Sequence, residues 1–283
     1  MERVALRSAG LTRRRFLSGT SFVLTDALLV APHATGAQGT QASAGPGNTS
    51  LVQDIASLAW DLVAASRILA DQGVLDGYGH VTVRHDRDPN RYLMSRSMAP
   101  EIVTADDILE LDLDSSPVDG RGRSMHSERF IHGEIYKVRP DVKSVIHFHA
   151  PSAVLMGVSG EPLRPIYHMA GFIGEGVPVF DIRNVAGETN MLVSNATLGK
   201  ALAETLGNKP AALMRGHGAV VVGSTLPQAV GRAVYLKINA ELQVQVLGKK
   251  IEYLDPEEAR LAAILNDGFP KDWEVWKRKA MAK

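Results

Sequence analysis

Between residues 51 and 73, Ile55, Leu58, Ala59, Leu62, Ile68 and Leu69 recur at a helical period, and Gly73 stands where a C-terminal cap belongs. The spacing predicts a helix. Beyond it the pattern shortens to β-rich runs over 81–84, 92–94 and 108–113, with Gly, Pro and Asp between them, and these predict sheet strands. Ser127 is placed to cap an amphipathic helix that ends at Arg139, where Pro140 stops it. Residues 144–149 predict a strand, 195–206 a helix closed by Gly207, and 211–214 with 219–222 two strands around an Arg-Gly-His-Gly turn. A long apolar helix over 226–247 and two shorter ones over 256–265 and 272–281 follow. No internal repeat or second linker interrupts 51–283, which reads as a single layered α/β domain with C-terminal helices.

The first 37 residues follow a different rule. Five arginines (Arg3, Arg7, Arg13, Arg14 and Arg15) lead into an apolar stretch over 16–31 and then small residues to Ala37, the order in which a secretory signal is built. Thr12-Arg13-Arg14-Arg15-Phe16-Leu17 is similar to the twin-arginine export signal. Gly19, Thr20, Thr25 and Asp26 interrupt the apolar run and leave it short of the roughly 20 residues a membrane span needs. Residues 38–50 are polar, small and glycine-rich, as a flexible linker is. The expectation is a signal peptide over 1–37, a periplasmic mature chain free of the membrane, and a cytoplasmic one if the signal is not used.

Composition narrows the chemistry. Of 283 residues none is cysteine, so disulfides, zinc ribbons, iron–sulfur clusters and thiol nucleophiles are excluded, and any metal sits on histidine or oxygen. The 31 Lys and Arg balance 31 Asp and Glu, and no basic run in the body offers a footprint for nucleic acid. A small-molecule substrate is the expected partner.

His147 and His149 flank Phe148 in a predicted strand, where side chains two apart share a face, so both imidazoles point the same way while Phe148 packs behind. Such a pair also occurs as satisfied core groups. His217, between Gly216 and Gly218, supplies a third imidazole on a turn whose backbone can approach a ligand closely. Three imidazoles with one position open is the arrangement of catalytic divalent sites. Glu128, next to Ser127, is the candidate proton carrier, although a Glu there also merely suits a helix start.

Gly79-His80-Val81-Thr82-Val83-Arg84, Ser127-Glu128-Arg129-Phe130-Ile131-His132, Arg139-Pro140-Asp141 leading to His147-Phe148-His149-Ala150, and Arg215-Gly216-His217-Gly218 together resemble the class II aldolase/adducin family. The resemblance implies a three-layer α/β/α domain with a largely antiparallel central sheet, assembled as a homotetramer with sites at subunit contacts. It puts zinc on His147, His149 and His217, with manganese, cobalt or magnesium as alternatives, and makes Glu128 the catalytic carboxylate. The chain departs from sugar-phosphate members in having His80 where they have Asn, Met94-Ser95-Arg96-Ser97 where they have a phosphate loop, and His126 where they have Ser. An arginine among serines suits a planar carboxylate better than a phosphate. With Tyr167-His168-Met169-Ala170-Gly171-Phe172, these features resemble the decarboxylase branch, which acts on hydroxy-carboxymuconate semialdehydes and dihydroxyphthalates.

The resulting expectation is a metal-dependent carbon–carbon lyase, a decarboxylase first and an aldolase second, with a non-catalytic adducin-head-like module as the third reading. In it the ion stabilises an enolate, Glu128 carries the proton, and Ser95, Arg96, Ser97, Ser127, His80 and His168 bind substrate. A rise of the Glu128 pKa through burial beside the site is expected to help that step.

Overall fold

The computed structural model describes residues 54–118 and 122–282. The expected signal peptide and linker lie outside the described residues.

Helix α1 (Ile55–Asp71) is capped by the Asp54 side chain, which accepts from the Ser57 amide, and is followed by Gly73 at φ +65°. Strands β1 (His80–Arg84), β2 (Arg91–Ser95) and β3 (Ile108–Asp112) form a meander, and α2 (Phe130–Val138), β4 (Ser144–Phe148) and α3 (Pro151–Ser159) come next. Then follow β5 (Val179–Phe180), α4 (Arg183–Ala186), α5 (Ala196–Leu206), β6 (Ala211–Met214) and β7 (Gly218–Gly223). Helices α6 (Leu226–Gln245), α7 (Pro256–Leu265) and α8 (Pro270–Met281) complete the described chain.

The strands form one sheet in the order β3-β2-β1-β4-β7-β6-β5, antiparallel throughout except for β5 with β6. The expected largely antiparallel α/β architecture is therefore the observed one. The sheet is covered on both faces. Ile146, Phe148, Ala219 and Val221 point into a core built with α1, α3 and α6, whereas Val145, Val220 and Val222 point into a second core with α2 and α5. Trp273 and Trp276 of α8 pack against the first core.

This two-sided burial fixes where the histidines face. Phe148 is fully buried, a contribution of about 1.5–3 kcal/mol for a side chain of its size. A one-residue slip of β4 would move it to the opposite face and turn His147 into the core of α1, α3 and α6 instead. The register that results pairs His147 with His80 on one side and with Val220 on the other.

Three expectations need correction. Ser127 is not a helix cap: Ser127–Arg129 is a 3-10 turn and α2 starts only at Phe130. The turn is held tight by Arg129, which donates to the carbonyls of Ser115 at 2.8 Å and His126 at 3.1 Å. His149 lies beyond β4, because Pro151 opens α3 two residues later. Helices α3 and α4 and the two-residue β5 are further additions: α4 and β5 are too short to show a period, and the apolar residues 153–156 of α3 run consecutively and mask one.

Candidate active site

The end of β4 and the β6–β7 turn meet edge to edge, and glycine makes the meeting possible. Gly216 has φ +65°, and a Cβ on Gly218 would lie 2.0 Å from the Phe148 carbonyl oxygen. Only a bare Cα allows the turn to lie against β4 and bring His217 beside His149. His149 Nε2 then lies 2.9 Å from His147 Nε2 and 3.1 Å from His217 Nε2. The 3-10 turn carries Glu128 to the same point, with Oε2 at 3.4 Å from His147 Nε2 and 3.5 Å from His217 Nε2. Four ligand atoms, one from each residue, lie within 4.8 Å of one another.

The outer contacts fix the tautomers. His147 Nδ1 is 3.1 Å from the Ala219 carbonyl and His217 Nδ1 is 3.0 Å from the Met191 carbonyl; since a carbonyl only accepts, both Nδ1 atoms carry the proton. In the neutral form their Nε2 lone pairs therefore face the centre of the cluster, and a proton held there instead is shared with Glu128. One proton on His149 Nε2 can serve only one of these lone pairs at a time, whereas a cation serves all three. The donor set fits a divalent ion: imidazole nitrogens oriented by carbonyls, with a carboxylate alongside. Nitrogens about 2.0–2.1 Å from a tetrahedral centre are roughly 3.3 Å apart, so the observed spacing needs only slight expansion to accept one.

Glu128 is 6% exposed, and its Oε1 accepts from the buried Val193 amide at 2.9 Å. Burial pushes its pKa up, but the adjacent His147 and His217 outweigh burial and hold the carboxyl well below the ordinary carboxylate range. The expected rise is reversed, and Glu128 starts as the carboxylate. The surrounding imidazoles shift down. Burial, then His147 and His217, lower His149 to about 4, and burial chiefly lowers His126 to about 4. His80 and His132 are held well below 6.5 by burial and by their imidazole neighbours. These rings are neutral at pH 7, the form in which an imidazole can bind a metal.

A cavity of about 630 Å³ opens on this cluster, lined by His149, His217 and Glu128 and by His80, Ser97 and Ser127. Its remaining walls are Tyr78, Met98, Ala99, His126 and Leu192 with Gly77 and Gly79, so no lining side chain among the described residues is Lys or Arg. Ser95 is buried behind the wall, its Oγ 3.4 Å from His126 Nε2. Arg96 is not brought into the cavity: its Nε is held by Asp107 at 2.7 Å. His168, itself exposed, opens a 3-10 turn over His168–Ile173, its ring 5.0 Å from that of Tyr167, and does not line the cavity. His126 was missed as a wall residue, its ring centroid 4.6 Å from that of His80. The signal was its position directly before Ser127-Glu128.

Residues 60–244 match the class II aldolase and adducin N-terminal domain, and the chain belongs to that family. It is 38% identical over 194 residues to decarboxylase tropJ of Talaromyces stipitatus, covering 64% of this chain and 73% of that protein. It is 31% identical over 200 residues to the 3,4-dihydroxyphthalate decarboxylase of Arthrobacter keyseri, covering 65% and 77% respectively. The L-fuculose 1-phosphate aldolase from Glaciozyma antarctica PI12 superposes with a TM-score of 0.67 at 22% identity over 80% of this chain and 88% of that one, which shows the shared fold. Decarboxylases and aldolases are both lyases, and the chain is an enzyme of that class.

Proposed function

We propose that this enzyme is a metal-dependent decarboxylase of a small hydroxy- or oxo-carboxylic acid. The observation that carries the reading is the convergence of three imidazole nitrogens and one ionised carboxylate at the base of a cavity whose walls hold no Lys or Arg among the described residues. Apart from the ion itself, the donors a phosphate dianion would meet there among the described residues are neutral. A carboxylate leaving as neutral CO2 sheds its charge in the reaction. The two named decarboxylase relatives support the same choice.

His147, His149 and His217 would hold the ion, and zinc suits three imidazoles best. When bound, such an ion supplies Lewis acidity toward a substrate oxygen, which draws off the electron pair released on carbon–carbon cleavage. Ser97 and Ser127, with His80 and His126, offer hydrogen bonds to the substrate along the cavity wall. Glu128 begins as the carboxylate, takes a proton from a substrate hydroxyl or water, and delivers it to the carbon that CO2 has left. The Val193 amide holds one of its oxygens and leaves the other facing the imidazoles.

The test is CO2 release from hydroxyphthalates and carboxylated semialdehydes, measured beside the cleavage of sugar phosphates. Release from the acids supports the reading; turnover of the phosphates alone would replace it with an aldolase. Glu128→Gln should keep its metal and lose about 10²- to 10⁴-fold in turnover, and an unchanged rate would remove Glu128 from the mechanism. We further infer export through the arginine pair at Arg13-Arg14 and assembly as a homotetramer. Cell fractionation of an Arg13→Lys, Arg14→Lys variant and light scattering of the purified protein test these two inferences.

A further inference from the structure

Behind the cavity wall a line of buried side chains runs into the protein, and the chemistry above uses only its outermost member, His80. His80 Nδ1 lies 2.7 Å from His132 Nε2, His132 Nδ1 lies 2.8 Å from Thr82 Oγ1, and Thr82 Oγ1 lies 2.8 Å from the Tyr136 hydroxyl. Thr82, His132 and Tyr136 are at most 1% exposed, and of the four only His80 lines the cavity. The far end of the line is made of carbonyls. That of Val145 is 3.4 Å from Thr82 Oγ1, and that of Lys143 is 3.4 Å from the Tyr136 hydroxyl.

A row of hydrogen bonds between groups that each donate once can run in either of two directions, and the 2.8 Å contact between Thr82 and Tyr136 allows both. Carbonyls only accept, so the direction that uses the two at the far end has Tyr136 donating to Lys143 and Thr82 to Tyr136 or Val145. In that direction Thr82 accepts from His132 Nδ1–H. His132 Nε2 is then bare and accepts from His80 Nδ1–H. A neutral imidazole carries one N–H, so His80 Nε2 is a lone pair. Among the described residues it has no hydrogen-bond partner, and it is not a sealed, unsatisfied atom either, which leaves it open to the cavity. The backbone at this point is fixed as well: Gly79 has φ +80°, and a Cβ there would lie 2.8 Å from the His147 carbonyl oxygen.

We propose that His132, backed by Thr82 and Tyr136, is a positioning residue that makes His80 a fixed hydrogen-bond acceptor for a substrate hydroxyl. Building on the decarboxylase reading, this narrows the substrates to acids with a free hydroxyl, and excludes their O-methyl and O-phosphoryl counterparts. An ether oxygen at that place would set a lone pair against the bare Nε2.

The experiment is calorimetric binding of 2-hydroxybenzoate and 2-methoxybenzoate to the metal-loaded protein, with CO2 release from hydroxyphthalates followed in parallel. The wild type should bind the hydroxy acid at least about tenfold more tightly, the factor one well-made hydrogen bond supplies. His132→Phe keeps an aromatic ring, somewhat larger than imidazole, and lacks both nitrogens; with metal content unchanged, it should reduce the preference to within threefold. His132→Gln, whose carboxamide oxygen replaces Nε2 as acceptor, should recover most of it. Thr82→Val preserves shape without the hydroxyl and tests the same line if His132→Phe does not fold; it should weaken the preference at least threefold. A preference that survives in folded His132→Phe or Thr82→Val is chelation by the metal alone and overturns the proposal. A wild-type preference for the methoxy acid also overturns it, since His80 would then be donating. The hydroxyl preference without CO2 release supports the proposal and counts against the decarboxylase reading; CO2 release without the preference does the opposite.

Discussion

Removing the metal and lowering the pH should destabilise the domain through its imidazoles before its carboxylates begin to titrate. An unfolded imidazole takes up its proton near 6.5, whereas folded His126 and His149 do so only at about 4. Between these values the unfolded chain binds more protons, so stability is full above about pH 6.5 and falls as the pH drops toward 4. At pH 5 a shift of this size is worth about 2 kcal/mol per fully buried ring. Both rings are partly exposed, and halving for solvent screening leaves about 2 kcal/mol for the pair. His80 and His132 add to the loss in the same direction. Against a typical net stability of about 5–15 kcal/mol, this is a visible fraction. For a domain of this size it lowers Tm by about 4–8 °C. The assay is thermal unfolding of chelator-treated protein from pH 7.5 to pH 5, with His126→Asn as the variant expected to flatten the slope. A Tm that stays within a degree across that range would refute the reasoning.

Two further substitutions probe geometry rather than charge. Gly218→Ala places a Cβ 2.0 Å from the Phe148 carbonyl oxygen and 3.0 Å from the His149 Cα, so it should cost about 3 kcal/mol in denaturant unfolding and weaken metal retention; wild-type behaviour in both would show the turn to be less constrained than its contacts indicate. Arg96→Met breaks a partly exposed pair with Asp107, worth about 0–1 kcal/mol, and should leave kcat/KM within threefold; a hundredfold rise in KM would return Arg96 to substrate binding.

The sheet was legible because both of its faces are buried, so its central strands are short apolar runs rich in β-branched residues, such as the valines of β7, a local signal that survives folding. The three histidines of the cluster could be nominated for the same reason, two by their spacing and one by its flanking glycines. What escaped depends on partners far apart in the chain. Asp107 takes the Arg96 guanidinium, and no periodicity links the two. The Glu128 environment is set by a backbone amide of Val193, in a stretch with no regular pattern, and by imidazoles from two other elements, which is why burial alone pointed the wrong way for its pKa. His126 reaches the cavity only because the turn at Ser127–Arg129 is 3-10 rather than α-helical, a choice made by Arg129 and the distant Ser115 carbonyl.

The central claim is that His147, His149 and His217 hold one divalent ion beside Glu128. Elemental analysis of the purified enzyme, paired with His147→Ala, tests it most directly. The account predicts about one divalent ion per chain in the wild type and near-complete loss in the variant. No stoichiometric ion in the wild type, or the same content in both proteins, would contradict it.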